Sequence, residues 1–536
     1  MWEKNWREQA WSELAGPWDI LVIGGGITGA GLLREAARAG LRVLLLEGKD
    51  FASGTSSRSS KMVHGGFRYL SNAQIKTTLQ SVRERERLLK EGRGLVYPLG
   101  FLLANYCKDS MPGWMCGAGL IVYDLLALKW GHRRYDAYDM QELCPWLNEN
   151  GLRGGYRYFD ALTDDARLVL RLVREAVRAG GMALNYARVS GLLRDRQGQV
   201  CGVVAQDEAP PHSGRSQEIQ AKVVINATGA WADDLRRVVG GPERLRKLRG
   251  SHLVFSSARL PLSRSVCFQH PRDRRFVFAF PWEGVTLLGT TDLDHDQPLD
   301  REPAISAQEV DYLLSAAQQA FCNQELGVED IQATFSGVRP VIGTGKVNPS
   351  KESREHILWS ENGLLTVAGG KLTTFRLMAI DALKAALTRL PGSPRFDPNS
   401  RVLDPPPAEE ALAEALELAA PVALRPAARL RLLGRHGADA PAVLSCALPG
   451  ELEPVEQTAS LWAELRWAAR AEGVVHLDDL LLRRVRLGLL LPGGGVSLLE
   501  RIRKIVQPEL GWEDARWEQE ASEYQKRWEA AYSISG

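Results

Sequence analysis

The chain has 536 residues, and its 67 Lys plus Arg nearly balance 65 Asp plus Glu; about two or three domains are expected, and a nucleic-acid partner is not. Its seven cysteines are scattered without a C-x-x-C, which argues against a disulfide framework or a metal site and makes the cytoplasm the default compartment. Met1–Gly16 is charged and Trp-rich rather than a signal peptide, and no apolar run reaches the ~20 residues of a membrane-spanning helix.

The first informative element is Ile20–Gly31, ILVIGGGITGAG. It reads as a buried strand, a glycine turn and a helix. Gly24, Gly26 and Gly29 form G-x-G-x-x-G, whose glycines allow a tight turn, close approach of a pyrophosphate and close helix–strand packing. The helix end adds unpaired N–H groups and positive charge. A second strand, Val43–Leu46, ends in Glu47, at the roughly 20-residue spacing of a ribose-binding acid. A carboxylate there would repel a 2′-phosphate and favours FAD or NAD over NADP.

Next, Ser56–Leu70 (SSRSSKMVHGGFRYL) crowds Lys61, His64, Arg68 and Tyr69 around two glycines. That composition points to an anion-binding and proton-handling site beside the cofactor. Lys222–Thr228 (KVVINAT) runs into Gly229, and Leu364–Thr374 (LLTVAGGKLTT) repeats the pattern at Gly369 and Gly370. Strand-to-glycine segments so widely spaced fit one extended FAD better than one NAD. A helix opening at Gly370 would also present its positive end to a reduced flavin.

The chain divides into FAD-binding parts at about 19–91, 160–245 and 356–390, and substrate parts at about 92–159 and 246–355. Asp207–Glu218 reads as a hairpin tip. The proline-rich 391–410 reads as a linker, and 411–536 as a helical C-terminal domain. The fold class expected is therefore α/β, with a mixed-sheet substrate domain and a helical tail.

Several basic residues stand at turns. Arg339 lies between glycine and proline in FSGVRPVI, Arg354 precedes a strand in KESREHIL, and Lys371 opens a helix in AGGKLTT. With Arg68 they read as a clamp for a dianion such as a phosphate monoester. His64 and His252 (in RGSHLVF) are candidate bases for taking a hydroxyl proton near neutral pH. Leu288–Asp296, LGTTDLDHD, lacks metal-loop spacing and reads as a loop lining the pocket.

Taken in order, SSRSSKMVHGGFRYL, TDDARLVL, VINATGAWADD, GSHLVF, LLGTTD, SGVRPVIG and AGGKLTTFR resemble the FAD-dependent, quinone-linked glycerol-3-phosphate dehydrogenases. The resemblance covers about 19–390 and continues more loosely through VVHLDDLLLRRVRLGLLL. It implies an FAD-binding Rossmann-like fold of the amino-acid-oxidase type. It also implies oxidation of sn-glycerol 3-phosphate to dihydroxyacetone phosphate, with electrons passing to a membrane quinone of a respiratory chain. Arg68, Tyr69, Arg339, Arg354 and Lys371 would contact substrate, with His252, His64, Arg339 and Lys371 in catalytic roles. The expected FAD contacts are Gly24, Gly26, Thr28, Gly29, Glu47, Ser57, Ser60, Lys61, His64, Gly65, Gly66, Ala227, Thr228, Gly229, Gly370, Leu372, Thr373 and Thr374.

The expected location is the cytoplasm, at the inner face of the cytoplasmic membrane. The expected partners are glycerol 3-phosphate, the quinone and the bilayer surface; a homodimer is left open. Bilayer contact is expected at Pro112–Leu128, at the N-terminal segment bearing Trp2 and Trp6, or at the basic stretch Leu480–Leu491. The rival readings are an oxygen-using oxidase of glycerol 3-phosphate or of an amino acid on the same scaffold, and a non-catalytic flavin-binding subunit.

Overall fold

The computed structural model describes residues 2, 5–67, 75–109, 112–321, 324–343, 345, 352, 355–390, 392, 396–408, 410–412, 414–415 and 424–534. Two sheets organise them. In the first, strands Leu364–Gly369, Ser216–Asn226, Trp18–Ile23, Val43–Leu46 and Met182–Leu184 lie side by side, all parallel. Strand His356–Glu361 closes one edge antiparallel. Trp18–Ile23 and Val43–Leu46 are near-continuous buried apolar runs, as in a parallel sheet covered on both faces, whereas Ser216–Asn226 is buried mainly over its last residues.

Helix Ile27–Arg38 packs between helices Asp165–Arg178 and Phe375–Leu387. Its contact with the latter depends on Gly31, where a Cβ would lie 2.9 Å from the Phe375 ring. Asp164 caps Asp165–Arg178, accepting a hydrogen bond from the Arg167 amide at 3.2 Å. The segment Asp207–Glu218 joins strands Val200–Asp207 and Ser216–Asn226, paired Gln206 to Ser216 as a hairpin.

The second sheet is mixed. Its long strands are Val96–Tyr106, Leu152–Thr163, Leu245–Ser256 and Ile331–Ile342. The last two pair from Leu245–Ile342 to Phe255–Ile331, setting Arg339 opposite Leu248.

Beyond the sheets, 424–534 is mainly helical. This domain is bound to the nucleotide side by buried charge. Arg483 and Arg484 both reach Asp50 at 2.6 Å, and Arg167 reaches Glu472 at 2.6 Å. The expected linker is packed rather than free where it is described: Val402 and Leu403 are buried, and Asp404 pairs with Arg34 at 2.9 Å.

Of the three stretches expected to meet a bilayer, Leu480–Leu491 is interior, and the N-terminal segment turns Trp2 inward while Asn5, Glu8, Gln9, Ser12 and Glu13 stay exposed. Trp2 is buried, stacked on Phe51 with ring centres 5.3 Å apart. Leu480–Leu491 is buried throughout, because Arg483, Arg484 and Arg486 find Asp50, Asp478, Asp479 and Asp165 as partners.

Candidate active site

A cavity of about 1050 Å³ lies between the two sheets. Its floor is main chain. Strand Trp18–Ile23 stops at Gly24, which holds φ +108°, and a Cβ there would lie 2.7 Å from the Ala227 carbonyl oxygen. At Gly29 a Cβ would lie 1.8 Å from the Gly24 oxygen, so only glycine lets helix Ile27–Arg38 start so close to the turn. The helix opens toward the cavity after Gly26, and the Ile27 amide donates to Ser56 Oγ at 2.9 Å. Glu47 also lines the cavity; its carboxylate accepts from the Gly25 and Lys49 amides at 2.6 and 2.8 Å. Burial pushes the Glu47 carboxyl above the usual range, against these two bonds.

The neighbouring strand ends supply more of this cradle. Asn226 accepts from the Thr228 amide and hydroxyl at 3.2 and 2.7 Å, fixing the turn that presents Thr228 and Gly229. Gly229 holds φ +61° with nothing within 4 Å of where a Cβ would stand. Gly369 and Gly370 hold φ +76° and +75°, and Gly370, Lys371, Leu372 and Thr373 follow along the cavity. Three strand-to-glycine turns thus meet at one edge of a parallel sheet, the place where such sheets bind dinucleotides. Open main chain, a helix N-terminus and a buried acid fit the pyrophosphate and ribose of FAD.

Of the expected cofactor contacts, Thr28, Ser60, His64, Gly66 and Ala227 line the cavity as well. Others do not, each for a physical reason. Lys61 holds φ +57°, is wholly buried, and its ammonium donates to Asp165 Oδ1 and Oδ2 at 3.1 and 3.2 Å. Burial, with Arg486 nearby, pushes its amine down to about 8. The Ser57 carbonyl accepts from Lys61 and Arg486 at 3.1 and 2.8 Å, away from the cavity. Gly65 donates to Asp160 at 3.0 Å and makes room for the Tyr123 hydroxyl. Gly29 packs helix Ile27–Arg38 against the Gly24 turn, and Thr374 turns its hydroxyl back to the Lys371 carbonyl at 3.4 Å.

The two histidines differ. His64 lines the cavity, its backbone latched to Thr373 by bonds of 3.1 and 3.2 Å. His252 does not line it. It is fully buried, stacked on Phe335 at 4.5 Å, and touches the cavity only through Ser60 Oγ, 2.9 Å from its Nε2. Burial, then Arg339 and Lys61, push its pKa well below the ordinary imidazole value. A second proton is therefore disfavoured on His252.

On the substrate side Arg339 donates to Thr290 Oγ1 at 2.9 Å and Asp292 Oδ1 at 3.2 Å, aiming its guanidinium along the cavity wall. Lys371 lines the same cavity. Arg68, Tyr69 and Arg354 lie outside the described residues. Sequence reasoning missed Arg275, which lines the cavity and donates to the Asp292 carbonyl at 3.3 Å. It also missed Ser56; both depend on partners distant in sequence. Phe101, Leu103, Tyr158, Phe276 and Phe278 complete an apolar wall. The arrangement can hold a dinucleotide, fix a small dianion and offer an imidazole for a proton.

Comparison with known proteins agrees with this geometry. A family model described as FAD dependent oxidoreductase matches residues 19–376, and one described as the C-terminal domain of alpha-glycerophosphate oxidase matches 406–517. Glycerol-3-phosphate dehydrogenase 2 of Mycobacterium tuberculosis is 34% identical over 537 residues, 98% of this chain and 90% of that protein. The aerobic glycerol-3-phosphate dehydrogenase of Staphylococcus haemolyticus is 37% identical over 382 residues, 70% of this chain and 67% of that protein. Among solved structures, the glycerol-3-phosphate dehydrogenase from Bacillus halodurans complexed with FAD superposes with a TM-score of 0.79 at 28% identity, covering 99% of this chain and 98% of that one.

Proposed function

From the premise that this chain belongs to the family of FAD-dependent glycerol-3-phosphate dehydrogenases, we propose that it oxidises sn-glycerol 3-phosphate to dihydroxyacetone phosphate and delivers the electrons to a membrane quinone. The observation that carries this reading is the meeting, in one cavity, of a glycine-built dinucleotide cradle with Arg339, Arg275 and Lys371. Cations lining the cavity suit an anionic substrate such as a phosphate monoester, with Arg339 and Arg275 each also paired to a carboxylate, Asp292 and Asp273.

FAD held in the cradle supplies a two-electron acceptor for the hydride of a secondary alcohol. The chain's residues do the rest. The turn at Gly24 and the end of helix Ile27–Arg38 would hold the pyrophosphate, Glu47 a ribose, and the turn at Gly370 would face the flavin ring. Arg339, kept in place by Thr290 and Asp292, grips the phosphate with Lys371 and Arg275. Family resemblance adds Arg68, Tyr69 and Arg354 to this grip. His64 accepts the hydroxyl proton, and its backbone latch to Thr373 keeps it beside the cofactor turn. Ser60 and His252 form a buried pair behind it that orients the wall. The alcohol gives up two electrons and two protons, and the quinone gains the same.

Among the described residues no helix is long and apolar enough to cross a membrane, so contact with a lipid-dissolved quinone is peripheral in this reading. The test is reduction of a soluble dye by the holoenzyme with glycerol 3-phosphate, glycerol or glycine as substrate, with oxygen uptake followed alongside. Dye reduction with glycerol 3-phosphate alone, and little oxygen uptake, is the expected result. Turnover of glycine would overturn the substrate assignment. Rapid oxygen uptake would replace the quinone with oxygen.

A further inference from the structure

Beside the turn that follows Glu47, a second cavity of about 320 Å³ lies where the nucleotide side, the second sheet and the C-terminal domain meet. Lys49 and Arg58 reach it from the nucleotide side, His295 from just beyond strand Leu293–Asp294, and His476 and Arg527 from the C-terminal domain. Lys49, Thr55 and Trp231 line the larger cavity as well, so the two share a wall.

His295 singles this cavity out. It is 6% exposed, and among the described residues neither of its ring nitrogens has a hydrogen-bond partner. Burial, then Arg249, push its pKa below the ordinary imidazole value, so the neutral ring has one N–H to give and one bare nitrogen to accept with. Arg58 Nε, on the same lining, is also buried and unpartnered, although Glu302 holds the far end of that guanidinium. Native interiors pair nearly all such groups, because an unmet one is costly.

The charges on the lining point to the sign of the missing partner. Arg58 is paired with Glu302, Arg483 with Asp50 at 2.6 Å, and Arg527 with Asp478 at 2.7 Å. Lys49 and the exposed Arg301 remain, and among the described residues neither has a carboxylate within ion-pair distance. The Lys49 ammonium lies 5.9 Å over the Trp231 ring instead. Spare cations beside an imidazole that both gives and takes suit a small oxoanion still carrying a hydroxyl. Inorganic phosphate near neutral pH is such an ion: its oxygens accept from cations and from an N–H, and its hydroxyl donates to a bare nitrogen. Sulfate has the same shape but no hydroxyl to give. The volume leaves room for waters, of about 30 Å³ each, around the ion.

We propose that this junction binds inorganic phosphate, separately from the substrate grip, and that the bound ion ties Lys49 to the C-terminal domain and slows the loss of FAD. The link to the cofactor is short, because the Lys49 amide donates to the Glu47 carboxylate at 2.8 Å. An ion that binds only the assembled junction stabilises it by mass action.

The test titrates inorganic phosphate calorimetrically, at constant ionic strength, into FAD-loaded Arg339→Ala protein, whose substrate grip lacks its main arginine. Saturable binding is expected. In that background His295→Leu should weaken it roughly tenfold or more, and Arg301→Ser, a change at an exposed position, by a few-fold. Sulfate should bind roughly tenfold more weakly than phosphate. In the holoenzyme with Arg339 intact, phosphate should slow FAD release, read as the rise of free-flavin fluorescence. His295→Leu and Arg301→Ser should each blunt that effect while dye reduction at saturating glycerol 3-phosphate stays at wild-type level. Absence of binding overturns the proposal, and so does binding that neither variant weakens, which would put the ion elsewhere. Equal affinity for sulfate overturns the choice of phosphate, and FAD release indifferent to phosphate overturns the coupling. Should His295→Leu fail to fold, Arg301→Ser decides alone.

Discussion

The two walls of the cavity are built from different materials. The nucleotide side is largely main chain: Gly24, Gly26, Gly229 and Gly370, the end of one helix, and the buried acid Glu47. The substrate side is side chain: Arg339, Arg275, Thr290 and a set of aromatic rings. The first wall is made by what glycine permits, and a local turn carries its own signature. The second is made by residues brought together from distant strands. Substitutions should accordingly fail in different ways on the two sides, and that contrast can be broken experimentally.

The largest effect is expected on the main-chain wall. Gly29→Ala places a methyl 1.8 Å from the Gly24 oxygen, and backbone has nowhere to go. The variant should purify without FAD; retention of a full complement of flavin, read from its absorbance, would show that the turn tolerates the shift.

Next comes the support beneath that wall. Asp50 follows the Glu47 turn and is held by Arg483 and Arg484 of the C-terminal domain, with Asn185 donating at 3.0 Å. Asp50→Asn leaves buried arginines short of charge, a loss of about 3–5 kcal/mol for a broken buried pair. Urea melts should show it, with faster FAD release, but an unchanged KM in the enzyme that remains loaded.

The side-chain wall should give a smaller, cleaner effect. Arg339→Ala removes a charge-assisted grip worth about 1.5–3 kcal/mol, so kcat/KM for glycerol 3-phosphate should fall roughly 10- to 150-fold. FAD should stay bound. A variant that loses flavin as well would erase the distinction between the walls.

The smallest effect concerns pH. Against the cost of burial, Arg486, Arg435 and Lys61 hold Asp164 down to about 2 from an ordinary 3.8. Its folded pKa is depressed, so its contribution, about 2 kcal/mol, is complete above the ordinary value and fades as pH falls through about 2. Asp164→Asn keeps a capping side chain for Asp165–Arg178 but removes the charge. Its stability, measured by urea midpoints, should therefore decline less steeply than that of wild type as the solution is acidified below pH 4. Parallel slopes would deny Asp164 this role.

The same contrast explains what could be read in advance. ILVIGGGITGAG, Glu47, KVVINAT and AGGKLTT declare themselves because strand, glycine and helix end are neighbours in the chain. Lys61 looks like a site residue for the same reason, sitting between Ser60 and His64. A left-handed backbone at that one position turns it into the core beside Asp165, more than a hundred residues away. Ser56 and Arg275 were illegible because a hydroxyl meets the helix end, and a guanidinium meets the Asp292 carbonyl, only after folding. The run LLLRRVRL reads as a basic surface in isolation. It is interior because Asp50, Asp165 and Asp478 come from elsewhere to meet its arginines.

One cavity is proposed to hold FAD and a phosphorylated secondary alcohol together, each wall doing its own part. Anaerobic addition of glycerol 3-phosphate to the yellow holoenzyme tests it directly. The flavin band should bleach with wild type, and with Arg339→Ala only at much higher substrate concentration. A band that persists in wild-type enzyme at saturating glycerol 3-phosphate would contradict the account.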